Sequence, residues 1–254
     1  MHNQTLRRLA LGIRTVAHEL FATVFPYRCA VCGRRLTDGE KHLCTACYMN
    51  LPFTRLRGER GNVVERLFWE KMPVVRANAF IRYIPGSDSS RVVRRLKYGD
   101  RPGIGLYFGR AMAHELRDTD FFEGIDMIVP VPLHRNKQRR RGYNQSEQLA
   151  AGLAEVTGLP VRTDLVERVR DTETQTKKTH AERQRNMEGA FRLIDAAAAA
   201  GRHILLVDDV ITTNATLLAC GQALAQAADV RISVIALSMA GRHTLVTKDP
   251  ILTP

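Results

Sequence analysis

The stretch HILLVDDVITTNATLLACGQALAQA, residues 203–227, constrains the fold more than any other. An apolar run of strand length enters the adjacent carboxylates Asp208 and Asp209. A short loop of small and hydroxyl-bearing residues follows, and LLACGQALAQA then reads as a helix. A buried strand that gives way to a loop and a helix at its carboxyl end is the unit from which parallel α/β sheets are built. IDMIVPVPL, at 125–133, is a second such strand, and VVRANAFIRYI, at 74–84, a third, with a turn at PGSDS. LYFGRAMAHEL continues as a helix.

The loop after the aspartates poses a chemical puzzle. Thr212, Thr213, Asn214, Ala215 and Thr216 can turn backbone N–H groups and hydroxyls toward a phosphate, at a helix N-terminus that favours negative charge. Two carboxylates beside such a cradle would repel an anion unless the ligand carries something else at that end. A ribose 5-phosphate resolves this: its phosphate occupies the loop, and its vicinal hydroxyls donate to Asp208 and Asp209. A pyrophosphate at C1, with Mg²⁺, would project toward the basic segments, and adjacent hard carboxylates tolerate magnesium nearby.

Charge agrees with an anionic partner. The chain of 254 residues carries a formal net charge of +12 and a sequence pI near 10.0. That favours phosphorylated small molecules or nucleic acid, and a solvated basic surface is the plain alternative. Three segments hold the charge. SRVVRRLKYGDRPGIG carries Arg91, Arg94, Arg95, Lys97 and Arg101. HRNKQRRRGYNQSEQLAAGLAEVTG reads as a basic loop opening into a helix, with Arg135, Lys137 and Arg141 on the loop and Gly142 permitting a tight turn. Its place after the IVPVP strand is where open α/β sheets bind ligands, and arginine there suits phosphate oxygens. The third segment, RVRDTETQTKKTHAERQRNMEGAF, holds Arg168, Arg170, Thr174, Gln175, Arg183 and Asn186 and has little hydrophobic periodicity. A mobile flap over a charged site and a plain surface excursion both fit it. AAAAAG, at 196–201, reads as a helix end or spacer.

Near the N-terminus, Cys29, Cys32, Cys44 and Cys47 form two Cys-x-x-Cys pairs eleven residues apart. Four thiolates satisfy tetrahedral zinc and leave no open position for water, so the expected role is structural. Two redox dithiols are the alternative. Cys220, the fifth cysteine, is expected to be a small buried hydrophobe. Upstream, Leu6, Leu9, Ile13, Val16, Leu20 and Val24 recur at helical spacing, which predicts an amphipathic helix over 1–26. Arg7, Arg8, Arg14, His18 and Glu19 interrupt it too often for a signal peptide. No apolar run reaches membrane-spanning length, so the expected setting is the cytoplasm.

LLVDDVITTNAT resembles the phosphoribosyl-pyrophosphate (PRPP) motif of type I phosphoribosyltransferases. Together with VFPYRCAVCG, LCTACYMNLP, LKYGDRPGIG, VPVPLHRNKQRRRGYNQSEQLA and the third basic segment, it resembles the ComF family of competence-related, phosphoribosyltransferase-like proteins over nearly the whole chain. The resemblance implies a helix over 1–26, a zinc module over 27–55 and a type I phosphoribosyltransferase-like parallel sheet domain over 74–243. It implies that Asp208 and Asp209 bind the ribose diol and that Thr212 to Thr216 bind the 5-phosphate. Arg135, Lys137, Arg141 and Gly142 would lie on the pyrophosphate side, with Thr174, Gln175, Arg183 and Asn186 on a flap. The sequence departs from the family at Asn214 in place of glycine, Lys137 in place of arginine and Tyr143 in place of phenylalanine. Phosphoribosyl transfer to an unidentified acceptor is the leading expectation. Its rivals are a competence accessory that handles single-stranded DNA and a PRPP sensor without turnover.

Overall fold

The computed structural model describes residues 27–98, 101–171, 187 and 189–240. The helix expected over 1–26 and the segment 172–186, with Thr174, Gln175, Arg183 and Asn186, lie outside the described residues. Two compact units divide the chain between Leu51 and Pro52.

In the first unit Arg28 and Arg35 form an antiparallel bridge, and Gly33 takes the left-handed φ of +76° that turns the chain between them. Helix α1, Thr45–Met49, starts at Cys44, whose sulfur accepts from the Cys47 N–H. Glu40 ties the loop to that helix by accepting from the N–H groups of Thr37 at 3.0 Å and Thr45 at 2.7 Å.

The second unit opens with a single helical turn, α2 (Val63–Arg66), capped by Asn62 and anchored by Val64 and Phe68, both fully buried. The sheet strands are β1 (Val74–Arg82), β2 (Met127–Pro130), β5 (His203–Ile211) and β6 (Arg231–Met239). Their order is β1-β6-β5-β2, and every pairing is parallel. β5 and β6 sit in the middle and are buried along nearly their whole length, as continuous apolar runs covered on both faces require. RISVIALSM, which its sequence pattern alone does not mark as a strand, is the sheet's second central one.

Helices α3 (Asp88–Tyr98) and α4 (Gly103–Leu116) connect β1 to β2. After β2 come α5 (Arg135–Arg141) and α6 (Gln145–Thr157). RNKQRRR is therefore a helix rather than the expected loop. His134 caps its start, the apolar stem of Lys137 is buried under it, and Gly142, at φ +80°, ends it in the left-handed conformation. The antiparallel pair β3 (Val166–Arg168) and β4 (Phe191–Leu193) frames the third basic segment, and the AAAAAG stretch begins as a one-turn helix, α7 (Ala196–Ala199). α8 (Ala215–Leu224) links β5 to β6.

Helices α4 and α6 cross with their backbones in contact. A Cβ on Gly109 would lie 2.2 Å from the Leu149 carbonyl oxygen, and one on Gly152 equally close to that of Leu106. Only glycine fits either place. The crossing fixes where the N-terminus of α6 points, and that end reaches the site.

Candidate functional site

The four cysteines of the first unit converge. Their sulfurs all lie within 4.8 Å of one another, and the Cys32 and Cys44 sulfurs are 3.8 Å apart. Ligands at about 2.3 Å from a tetrahedral zinc are separated by about that distance. Backbone N–H groups point at the sulfurs: Cys44 to Cys29, and Cys47 to Cys44, each at 3.4 Å. Burial opposes ionisation of Cys44, but the Cys47 N–H and the Arg34 guanidinium outweigh it and bring its thiol down to about 6. Burial and the neighbouring sulfurs push Cys47 the other way. Of the four, only Cys32 is exposed. The cluster can hold a metal ion.

Asp208 and Asp209 stand at the carboxyl end of β5, and both are buried. Their environments differ. Oδ1 of Asp208 accepts from the Ser146 hydroxyl at 3.2 Å and from the Asp209 N–H at 2.8 Å. Burial, and then the charge of Asp209, push Asp208 up to about 7. Oδ2 of Asp209 is buried without an aligned hydrogen-bond donor, and Lys97 Nζ approaches it at 3.2 Å. Burial alone would pull Lys97 down, but Asp209 and Asp208 raise it on balance, so the ammonium stays charged. Ser146 is placed by the cap of α6, where Asn144 accepts from its N–H at 3.0 Å and in turn donates to the Val131 carbonyl at the end of β2.

Further cations lie within electrostatic reach of Lys97, Lys137 and Asp208. Arg141, at the last turn of α5, donates to Gln145 Oε1 at 3.0 Å and lies 5.1 Å from the centre of the Tyr98 ring. Arg168, at the end of β3, lies 5.4 Å from the centre of the Phe191 ring. Burial lowers Arg168, while Asp208 and Asp171 act to keep it charged. Lys137 is buried and 3.7 Å from Asp171, which His134 also approaches at 3.4 Å. Of the residues expected on the pyrophosphate side, Arg141 and Lys137 share this electrostatic environment. Arg135 is exposed, with no ion pair among the described residues. The residues missed as site members are Lys97, Ser146 and Arg168. Lys97 and Arg168 were visible only as charges within basic segments, and Ser146 gave no signal, because its role depends on the α4–α6 crossing.

The loop after β5 ends in Asn214, the residue that departs from the family pattern, and Ala215 and Thr216 open α8. Asn214 adopts the left-handed conformation, φ +52° and ψ −2°, which a glycine would take without strain. Its side chain caps nothing. Instead Nδ2 donates to the Leu67 carbonyl at 2.8 Å and moors the loop to the end of α2. Thr212 is exposed, Thr213 and Thr216 are half-buried, and Ala215 is buried at the start of α8. The backbone turn is thus kept, with an added tether.

The second unit is thus a parallel α/β domain with a carboxylate pair ending a central strand and a loop and helix N-terminus following it, and the first unit holds a four-cysteine cluster. No family model matches the chain. It is 32% identical over 200 residues to the DNA utilization protein YhgH of Escherichia coli (strain K12), which covers 77% of this chain and 83% of that protein. It is 29% identical over 209 residues to Competence protein F of Haemophilus influenzae, covering 76% of this chain and 88% of the relative. The chain belongs to the ComF family of competence-related proteins. Among solved structures, an adenine phosphoribosyltransferase is 18% identical, with a TM-score of 0.35, over 55% of this chain and 80% of that one. No helix among the described residues is long and apolar enough to cross a membrane.

Proposed function

We propose that the second unit binds PRPP and transfers its phosphoribosyl group to an acceptor, in the cytoplasm and in the service of DNA uptake or use. The observation that carries this reading is the buried acceptor Oδ2 of Asp209, which has a cation nearby but no aligned donor. A ribose hydroxyl supplies that donor. Asp208, held by Ser146, fixes the second hydroxyl, and the 212–216 loop receives the 5-phosphate at the start of α8. Mg²⁺ arriving with PRPP needs hard oxygen acceptors, which the two aspartates are.

In transfer, the bond from C1 to the pyrophosphate oxygen breaks and the electron pair leaves with pyrophosphate, while the acceptor's lone pair forms the new bond at C1. Arg141 is preorganised by Gln145 and Tyr98 to stabilise the charge that develops on the leaving oxygens. In the first unit, structural zinc on Cys29, Cys32, Cys44 and Cys47 completes the assignment. The names of the relatives supply the process of DNA use, and the residues supply the ligand chemistry.

Calorimetric titration of PRPP with Mg²⁺ into the wild type and into Asp208→Ala/Asp209→Ala tests the reading. Saturable binding in the wild type, lost in a folded double variant, is expected. A folded, zinc-loaded wild type that binds no PRPP would sink the proposal. Pyrophosphate release with nucleobase acceptors then separates an enzyme from a sensor.

A further inference from the structure

The four cysteines of the first unit are equivalent in spacing but not in surroundings. Cys29, Cys44 and Cys47 are buried, at 3%, 1% and 7% exposure, whereas Cys32 is exposed. Two of the buried sulfurs are also engaged by the backbone. The Cys29 sulfur accepts from the Cys44 N–H and the Cys44 sulfur from the Cys47 N–H, each at 3.4 Å. Such bonds draw electron density from a metal-bound sulfur and make it a poorer nucleophile. Among the described residues no backbone N–H points at the Cys32 sulfur, whose neighbour is the Cys44 sulfur at 3.8 Å. Cys32 opens the run to Arg35, which is exposed throughout. A Cβ on Gly33 would meet nothing within 4 Å, so the space beside Cys32 is open. Metal binding removes the thiol proton, and Cys32 is therefore the one ligand that presents a thiolate to solvent.

Building on the structural zinc proposed for this unit, we propose that Cys32 is an oxidative modification site: a hydroperoxide oxidises it first, and Cys44 then closes a disulfide on it and releases the metal. In the first step a lone pair of the Cys32 sulfur attacks the terminal peroxide oxygen. The O–O bond breaks, its electron pair leaves with the other oxygen as an alkoxide or hydroxide, and that oxygen takes a proton from water. Cys32 becomes a sulfenic acid. In the second step the Cys44 sulfur attacks that of Cys32, the S–O bond breaks, and hydroxide leaves and is protonated to water. Two electrons have passed from the sulfurs to the peroxide. A disulfide holds its sulfurs about 2.05 Å apart, so closure draws both away from ligand positions. Cys29 and Cys47 alone cannot hold a tetrahedral ion, and residues 27–51 lose the tie that folds them. A dithiol reductant with zinc reverses the change, which makes the first unit a peroxide-sensitive module on a chain whose second unit needs no metal to fold.

The experiment titrates the zinc-loaded full chain with hydrogen peroxide. A chromogenic chelator counts released zinc, differential alkylation with peptide mass spectrometry maps each cysteine, and amide exchange follows residues 27–51. The expected result is one zinc lost for each Cys32–Cys44 disulfide formed, with loss of amide protection over 27–51. Cys220, fully buried on α8, should stay reduced and inaccessible to the alkylating agent, as an internal sign that the second unit remains folded. Cys32→His keeps a zinc ligand and removes the sulfur, so it should retain its metal at the peroxide concentration that empties the wild type. If that variant binds no zinc, the order of oxidation in the wild type still decides. Zinc retained with all four thiols intact, or a first oxidation at Cys29, Cys44 or Cys47, would overturn this assignment and leave structural zinc standing. Wild type that binds no zinc at all would overturn both readings.

Discussion

The cysteine centre and the aspartate site solve the same problem, holding like charges together, by opposite means. The four sulfurs come from residues 29–47, with N–H groups and Glu40 from the same short stretch around them. The aspartates draw their partners from α3 and α6 and feel the charge of Arg168 at the end of β3, so much of the second unit must be folded before the site exists. With the zinc proposed for it, a local centre depends on that cation, because little else in so short a chain segment can be buried. A distributed centre depends on packing.

The largest expected effect breaks the local centre. Cys44→Ser should abolish bound zinc, read by metal analysis, and remove the amide protection of residues 27–51. Structural zinc in small modules contributes on the order of 10 kcal/mol, more than a segment of this size replaces. The amides of β5 and β6 should stay protected. Loss of protection across the central sheet as well would show that the two centres are not separable in the way this comparison holds.

The matching break in the distributed centre lies away from any ligand. Gly109→Val places methyl groups against the Leu149 carbonyl, so α4 and α6 must separate. Overpacking at a backbone contact costs about 3 kcal/mol, measurable as a lower urea midpoint. Because α6 carries Ser146, PRPP affinity should fall in the same variant, although Gly109 touches no site residue. Unchanged affinity in a destabilised protein would mean that the crossing does not position Ser146.

This contrast also explains what the sequence disclosed. The cysteine spacing is local, so the ligand set of the first unit could be read residue by residue. The β5–loop–α8 unit was legible for the same reason: its apolar run, carboxylates and hydroxyl loop are consecutive. RISVIALSM went unread as a strand because a short apolar run carries no period that separates a buried strand from a buried helix. α5 was read as a loop because its charges hide the single inward-facing stem, that of Lys137. Lys97, Ser146 and Arg168 could not be placed at all, since Lys97 and Ser146 reach the aspartates through tertiary contacts and Arg168 interacts with Asp208 only through charge across the fold. What Asn214 does instead of glycine also needed the fold, because its partner, Leu67, is remote in sequence.

A finer test uses the pH dependence that burial imposes on the distributed site. The folded-state value of Asp208 is raised to about 7, against about 3.9 for an unfolded aspartate. Below about pH 4 both states are protonated and the group has no effect. Between about 4 and 7 the unfolded state ionises while the folded state keeps its proton, so stability falls as pH rises, by up to about 1.4 kcal/mol per pH unit. Above that window the penalty is complete and constant. Burial raises Glu115 to about 7 as well, and its partial exposure makes its share of the slope smaller. Asp208→Asn should flatten the urea-midpoint profile between pH 4 and 7 more than Glu115→Gln does. An unchanged slope in Asp208→Asn would show that Asp208 is solvated in the folded protein, and the two aspartates would lose the asymmetry assigned to them.

The smallest expected effect isolates one residue at the edge of the distributed site. Asn214 contributes a tolerated left-handed backbone and a hydrogen bond to Leu67. Asn214→Gly relaxes the first and removes the second, so a net loss below about 1 kcal/mol is expected. Asn214→Ala loses the tether and retains the strain, and should cost about 1 kcal/mol more than glycine. Trp69, the chain's one tryptophan, is half exposed two residues beyond Leu67, so its fluorescence reports release of the tether directly. Both variants should shift that signal alike, since both lack the amide, while only alanine should add the backbone penalty to the urea midpoint. If both variants lost stability equally, the tether and not the turn would be what shapes the loop, and the departure at Asn214 would mark a second long-range tie in the site rather than a local compromise.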